Sequence, residues 1–111
     1  MAATVVIVDD DAEFRRLARL LLRRCGLDVA GEAGDVAEGQ RACARLRPDA
    51  ALIDINLPDG YGPALAAELL GTMPELRVLL TSADTVVRPG GGMAFVPKAK
   101  LADADLAELL S

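Results

Sequence analysis

The chain predicts an α/β fold, a doubly wound parallel sheet of five strands with helices on both faces. Three observations carry that expectation. Strand-type and helix-type patterns alternate along all 111 residues. The first strand-type run is apolar throughout, as a strand covered on both faces must be. Three carboxylates, Asp9, Asp10 and Asp54, fall where two such runs end. Alternation of this kind builds a parallel sheet and puts ligands at the carboxyl ends of its strands.

The elements follow in order. Thr4-Val5-Val6-Ile7-Val8 is β-branched and apolar, and predicts the first strand. From Ala12 to Arg24, Phe14, Leu17, Ala18, Leu21 and Cys25 recur at helical spacing, with Arg15, Arg19 and Arg23 on another face and Gly26 at the stop. Asp11 is the natural cap of that helix. Residues 27–31 predict a short second strand. Asp35 caps a helix over 36–46, with Glu38 as its capping-box partner and Pro48 beyond its end. Residues 50–53 form the third strand and deliver Asp54. After the loop Asn56-Leu57-Pro58-Asp59-Gly60, a helix spans 63–70, and 76–81 is the fourth strand. Residues 93–96 predict the fifth strand and 101–110 a closing helix, with Ala102, Leu106, Leu109 and Leu110 on its apolar side. Between them the segment 83–92 holds Pro89 and three glycines, room for one helical turn at most before a flexible loop.

Composition narrows the function. A chain of 111 residues, 52% hydrophobic, suits one domain whose core needs neither metal nor disulfide. The balance of 12 basic against 17 acidic residues, without histidine, argues against nucleic-acid binding by this chain alone and against anionic membranes. Cys25 and Cys43 lie inside apolar helical patterns without CxxC spacing and read as small buried hydrophobes, which suits a reducing cytoplasm. No basic leader or long apolar segment precedes the first strand, so the expected location is cytoplasmic.

Like charges gathered at neighbouring strand ends cost stability unless a cation or phosphate chemistry needs them there. With that cluster, the chain resembles the receiver domain of two-component response regulators, in the CheY-like superfamily, over nearly its whole length. The acidic pair looks like Asp9-Asp10 and the phosphoacceptor like Asp54, followed by Leu57-Pro58-Asp59-Gly60. Ser82-Ala83 looks like the hydroxyl and small residue ending the fourth strand, Phe95 like the fifth-strand aromatic, and Lys98, in Phe95-Val96-Pro97-Lys98, like the lysine. Five features in compatible order make a specific signal. The resemblance implies a flavodoxin-like strand order 2-1-3-4-5, with the fourth helix here shortened or missing.

It also implies a chemistry. A carboxylate attacks phosphorus only when the repulsion between the two anions is neutralised, by a divalent ion and a lysine ammonium. Mg2+ prefers oxygen ligands, so Asp10, Asp54 and the main-chain carbonyl of Asn56 are the expected direct ligands, with Asp9 binding directly or through water. Lys98 would pair with the phosphoryl group and Ser82 would hydrogen-bond one of its oxygens. The donor would be a phosphohistidine on a sensor histidine kinase or a histidine phosphotransfer protein, and the output partner stays unnamed. Ser82 and Phe95 would form the switch, Phe95 with a weak outward preference because it lacks a tyrosine hydroxyl. The first helix, with Arg15, Arg19 and Arg23, is where the family docks its phosphodonor. Such a chain is a signalling receiver, not an enzyme beyond its own phosphorylation and dephosphorylation.

Plainer alternatives exist for each feature. Asp9-Asp10-Asp11 can be a solvated turn with a cap, Lys98 a surface lysine, Phe95 a fixed core aromatic and the arginine stripe a solvated face. A receiver-like interaction module that works without phosphorylation is the competing function. A haloacid-dehalogenase-type phosphatase would want a larger, capped chain, and flavin binding a hydroxyl-rich phosphate loop where Asp9-Asp10-Asp11 would repel phosphate. Two departures stand out: the short 83–92 segment, where dimerisation or output surfaces usually lie, and Ala99, where the family often has proline after the lysine. The expected organisation is one receiver domain over residues 1–111.

Overall fold

A computed structural model describes residues 2–84 and 93–111. Fully buried apolar residues make up Val5–Val8 of β1, Thr4–Val8, and Ala50–Ile53 of β3, Ala50–Asp54; β3 is the central strand of the sheet and β1 its neighbour. The elements run β1, α1 (Ala12–Arg24), β2 (Asp28–Ala33), α2 (Val36–Leu46), β3, β4 (Asn56–Leu57), β5 (Gly60–Tyr61), α3 (Gly62–Thr72), β6 (Arg77–Ser82), β7 (Ala94–Pro97), a 3-10 helix (Lys98–Asp103) and α4 (Leu106–Leu110). β4 and β5 pair only with each other, as a small antiparallel ribbon. The main sheet is parallel in the order β2-β1-β3-β6-β7, which with the ribbon set aside is the expected 2-1-3-4-5. The chain reverses its winding between β1 and β3, and a crevice opens there at the strands' carboxyl ends.

Each face of the sheet carries its own core. Val6, Val8, Ala51, Ile53 and Leu80 pack with Cys43 of α2 and Leu65 and Leu69 of α3. On the opposite face Val5, Ile7, Leu52 and Leu79 meet Phe14, Ala18, Leu21 and Leu22 of α1, then Leu101, Leu106 and Leu110. Burial of the Cys43 thiol pushes its pKa up to about 11, so it is a core residue in chemistry as in packing. Cys25 is only half-buried.

Several sequence expectations shift. α1 buries Leu22 and turns Leu17 outward, 48% exposed, so its inner face is rotated from the expected one. β2 begins and ends later than expected, because an irregularity between Val5 and Val6 lets Val6 pair with Gly31 and carries the ladder on to Ala33. The closing helix is two pieces. Ala104 is extended (ψ 150°), and Asp105 starts a new helix by accepting from Glu108 N at 3.1 Å. Leu101, Leu106 and Leu110 stay buried across that break, while Ala102 is exposed. The Lys98–Ala99 peptide is trans, as are all peptides among the described residues. The expected helical turn and loop of 83–92, and with them the shortened fourth helix, fall largely on residues 85–92, outside the described residues.

The caps agree with the sequence. Asp11 Oδ1 accepts from Glu13 N at 3.0 Å and Phe14 N at 3.2 Å, and Asp35 Oδ1 accepts from Glu38 N at 2.8 Å. Asp11→Ala is expected to cost about 1 kcal/mol, read in a thermal melt as a fall of roughly 4 °C. The Asp11 N–H, which donates to Asp9 Oδ1 at 2.9 Å, does not depend on that side chain.

Candidate functional site

Register brings the carboxylates together. β1 and β3 pair Val8 with Ile53, so Asp9, directly after β1, lies beside Asp54, the last residue of β3. Asp10 follows at the rim. Oxygens of Asp9, Asp10 and Asp54 lie within 4.8 Å of one another, with Asp9 and Asp54 buried and Asp10 exposed. This is a set of hard oxygen donors with an open side, and it fits a divalent ion such as Mg2+ or Ca2+ better than any thiolate- or imidazole-seeking metal.

Lys98 reaches this cluster from two strands away. Its Nζ lies 2.8 Å from Asp9 Oδ2 and 3.5 Å from Asp54 Oδ2. The ammonium also sits 4.3 Å from the centroid of the Phe14 ring, an apolar platform that holds it without competing for its protons. Burial, and then the charge of Asp9, hold the Asp54 carboxyl above its ordinary range, against the pull of Lys98 and of the Asn56 N–H. Burial works against the Lys98 ammonium too, but its contacts with Asp9 and Asp54 outweigh this and raise its pKa.

The other expected residues lie on β4, β6, β7 and α1. Asn56 donates its N–H to Asp54 Oδ1 at 3.4 Å and is itself exposed at the start of the ribbon. Ser82 ends β6, one residue beyond Thr81, the register partner of Asp54, and its Oγ accepts from Asp84 N at 3.1 Å. Phe95 pairs in register with Leu80 and is half-buried against the α2–α3 core, neither fully inside nor free in solvent. Of the arginine stripe, Arg23 is exposed. Arg15 and Arg19 both turn to Glu32 of β2, Arg15 with Nε 3.1 Å from Oε1 and Arg19 against Oε2.

Other residues escape a sequence reading. Phe14 reads as core and is buried, yet its ring also carries the Lys98 ammonium. Thr81 carries a buried hydroxyl with no hydrogen-bond partner among the described residues. Asp59 accepts from Val36 N at 2.7 Å and Ala37 N at 3.2 Å, which clips the loop after Asp54 onto the start of α2 and holds the Asp59 carboxyl below its ordinary range. Gly62 donates to Ile55 O at 2.7 Å and has no room for a side chain. A cavity of about 560 Å³, lined by Arg47, Asp49, Met73, Arg77 and Leu110 among others, lies where the strands begin, at the other end of the sheet from the acidic cluster.

Comparison with known proteins shows the family of the chain. The family described as the response regulator receiver domain matches residues 5–89. The DNA-binding transcriptional activator DevR/DosR of Mycobacterium tuberculosis is 46% identical over 82 residues, covering 73% of this chain and 38% of that protein. The chemotaxis protein CheY of Thermotoga maritima is 31% identical over 83 residues, covering 75% of this chain and 69% of that protein. The signal receiver domain of the putative response regulator NarL from M. tuberculosis superposes with a TM-score of 0.80 at 30% identity, covering 96% of this chain and 97% of that one. This chain therefore belongs to the response regulator receiver domain family, a family of signalling domains. It spans 38% of DevR/DosR and 52% of a putative transcriptional regulator of Pseudomonas aeruginosa that it also matches. No helix among the described residues is long and apolar enough to cross a membrane.

Proposed function

We propose that residues 1–111 act as one phosphorelay receiver that takes a phosphoryl group onto Asp54 and signals by the resulting change of shape. The observation that carries this reading is the pairing of a buried, charge-strained Asp54 with a lysine ammonium and two further carboxylates at one strand-end crevice. Asp10, Asp54, the Asn56 carbonyl and Asp9 would hold Mg2+, which would supply the positive charge needed to bring two anions together. Asp54 then attacks the phosphorus of a phosphohistidine. The P–N bond breaks as the O–P bond forms, and the ring, already carrying a proton on its other nitrogen, leaves as neutral imidazole. Lys98 shifts its contact from the carboxylate to the phosphoryl oxygens, and Ser82 donates to one of them. Water later attacks phosphorus, releases inorganic phosphate and restores the Asp54 carboxylate.

The donor in this reading is a sensor histidine kinase or histidine phosphotransfer protein that docks on α1, whose outer side shows Leu17, Leu20 and Arg23. Movement of Ser82 and Phe95 would pass the change to an output partner in the cytoplasm. The chain would do no chemistry beyond its own phosphorylation and hydrolysis.

The test is intact mass after incubation with a small-molecule phosphodonor, with and without MgCl2, on the wild type and Asp54→Asn. The expected result is a magnesium-dependent gain of one phosphoryl group that Asp54→Asn abolishes. A folded wild type that binds magnesium but gains nothing would overturn the reading and favour a module that works without phosphorylation.

A further inference from the structure

The turn that carries Asp9 and Asp10 is gripped from outside the acidic cluster. The β1–β2 ladder pairs Ile7 with Glu32 and Val8 with Ala33, and the Asp9 N–H extends it by donating to Ala33 O at 2.9 Å. On the other side, the Asp9 carbonyl accepts from Arg15 Nη1 at 2.6 Å. The same guanidinium donates through Nε to Glu32 Oε1 at 3.1 Å, and Arg19 occupies the second oxygen of Glu32. The side chains of Arg15 and Glu32 are 22% and 19% exposed, so this is a covered brace and not a loose surface pair. It ties α1 and β2 to the one main-chain oxygen between β1 and Asp10.

That oxygen belongs to the peptide plane whose other end is the Asp10 N–H. A peptide is planar, so fixing its oxygen and the preceding N–H fixes the direction in which the chain enters Asp10. Asp10 is the exposed member of the cluster, the one that burial does least to hold. Arginine suits the task because its planar fork meets two acceptors at a set angle, which a lysine ammonium on a flexible stem does not.

We infer that Arg15, held by Glu32, is a positioning residue that orients Asp10 toward a divalent cation. This rests on the proposed reading of the cluster as a magnesium site, and it gives Arg15 an inward role in place of partner docking.

Charge alone predicts the opposite sign for the decisive variant. A guanidinium beside a cation site repels the cation, so its removal should tighten magnesium binding by electrostatics. Positioning predicts that its removal weakens binding. Charge alone also predicts that Arg15→Ala and Glu32→Ala offset each other in a double variant. A shared brace predicts instead that the double variant binds no worse than Arg15→Ala alone, because each single variant already releases the same contact.

The experiment is calorimetric titration of MgCl2 into wild type, Arg15→Ala, Arg15→Lys, Glu32→Ala and the double variant, with circular dichroism to verify folding and intact-mass phosphorylation in parallel. Residues that orient metal ligands typically change affinity by about 10–100-fold. The expected result is a Kd raised about tenfold in Arg15→Ala, with a smaller rise in Arg15→Lys, which keeps the charge and loses the fork. If Arg15→Ala does not fold, weakened binding by Arg15→Lys decides the same question, since its charge is unchanged. An unchanged or lower Kd in a folded Arg15 variant, beside a wild type that binds magnesium and takes up phosphoryl, would overturn the positioning role and leave the receiver reading standing. A wild type that binds no magnesium would overturn both.

Discussion

Gly62→Ala is expected to lower the melting temperature by about 10–15 °C and to abolish phosphoryl uptake at Asp54 in the fraction that stays folded. Gly62 opens α3, and its N–H closes the loop after β3 by donating to Ile55 O at 2.7 Å. A Cβ there would sit 2.0 Å from the Asp54 carbonyl oxygen, 2.9 Å from its carbonyl carbon and 3.0 Å from Ile55 Cα. These are backbone atoms at the end of a central strand and cannot swing aside as a side-chain tip would. Either α3 backs away from the sheet or the end of β3 shifts, and Asp54 moves with it. Overpacking typically costs about 1–3 kcal/mol and more against rigid neighbours, which places this variant at or above the upper figure. Gly71 in the same helix is the control. Nothing lies within 4 Å of a Cβ built there, so Gly71→Ala should stabilise by about 0.5–1 kcal/mol through helix propensity. Thermal melts of both variants, with intact mass after exposure to a phosphodonor, read the contrast. A Gly62→Ala protein as stable and as readily phosphorylated as the wild type would refute the argument.

Gly62 also shows where sequence reading stops. Beside Pro63 at the end of a Pro- and Gly-containing loop it looks like an ordinary turn glycine, because its crowding comes from Asp54, eight positions earlier, after the ribbon has folded the loop back. What is legible is local or periodic. β1 and β3 announce themselves by unbroken apolar runs, α1 and α2 by helical period with Asp11 and Asp35 as caps, and the carboxylates by their positions at strand ends. The last helix misleads for the converse reason. Leu101, Leu106 and Leu110 all face the core although the backbone is extended at Ala104, so the apolar pattern continues through a break that only Asp105 marks. The arginine stripe misleads because periodicity sees one helix at a time. Glu32 reaches Arg15 and Arg19 only through the β1–β2 register, which includes an irregularity that no periodic pattern encodes.

Lys98→Met is expected to destabilise the metal-free protein at neutral pH by about 2–3 kcal/mol, and to make its stability climb steeply as the pH is lowered. The substitution keeps much of the stem and removes the ammonium that lies 2.8 Å from Asp9 and 3.5 Å from Asp54. Two buried carboxylates are then left facing each other, with the Asp11 and Asn56 N–H groups as their partners. Breaking a fully buried pair costs about 3–5 kcal/mol, and the remaining 18% exposure of the lysine side chain argues for a smaller figure. Burial and the charge of Asp9 already hold Asp54 above its ordinary 3.8, and loss of Lys98 raises it further. A carboxyl raised in the folded state favours folding when protonated. Its contribution is complete below about 3.8 and lost as the pH rises through the raised value, so the variant loses more stability on that climb than the wild type does. The wild-type lysine supplies the matching term at the other end. Its pKa is raised, so its contribution is complete below about 10.5, lost as the pH rises through the raised value, and absent from the variant throughout. The gap between the two proteins should therefore be widest from neutral pH up to that alkaline range and narrow on either side. MgCl2 should raise the melting temperature of Lys98→Met more than that of the wild type, because a divalent cation held by the folded cluster would meet no ammonium there. Melting curves across pH, with and without MgCl2, measure both effects. A variant with the stability and pH profile of the wild type would mean that Lys98 carries none of the electrostatic burden assigned to it. The expected pattern would mean that Lys98 offsets the repulsion between the buried carboxylates of the crevice, and that a divalent cation can take over that task when the ammonium is gone.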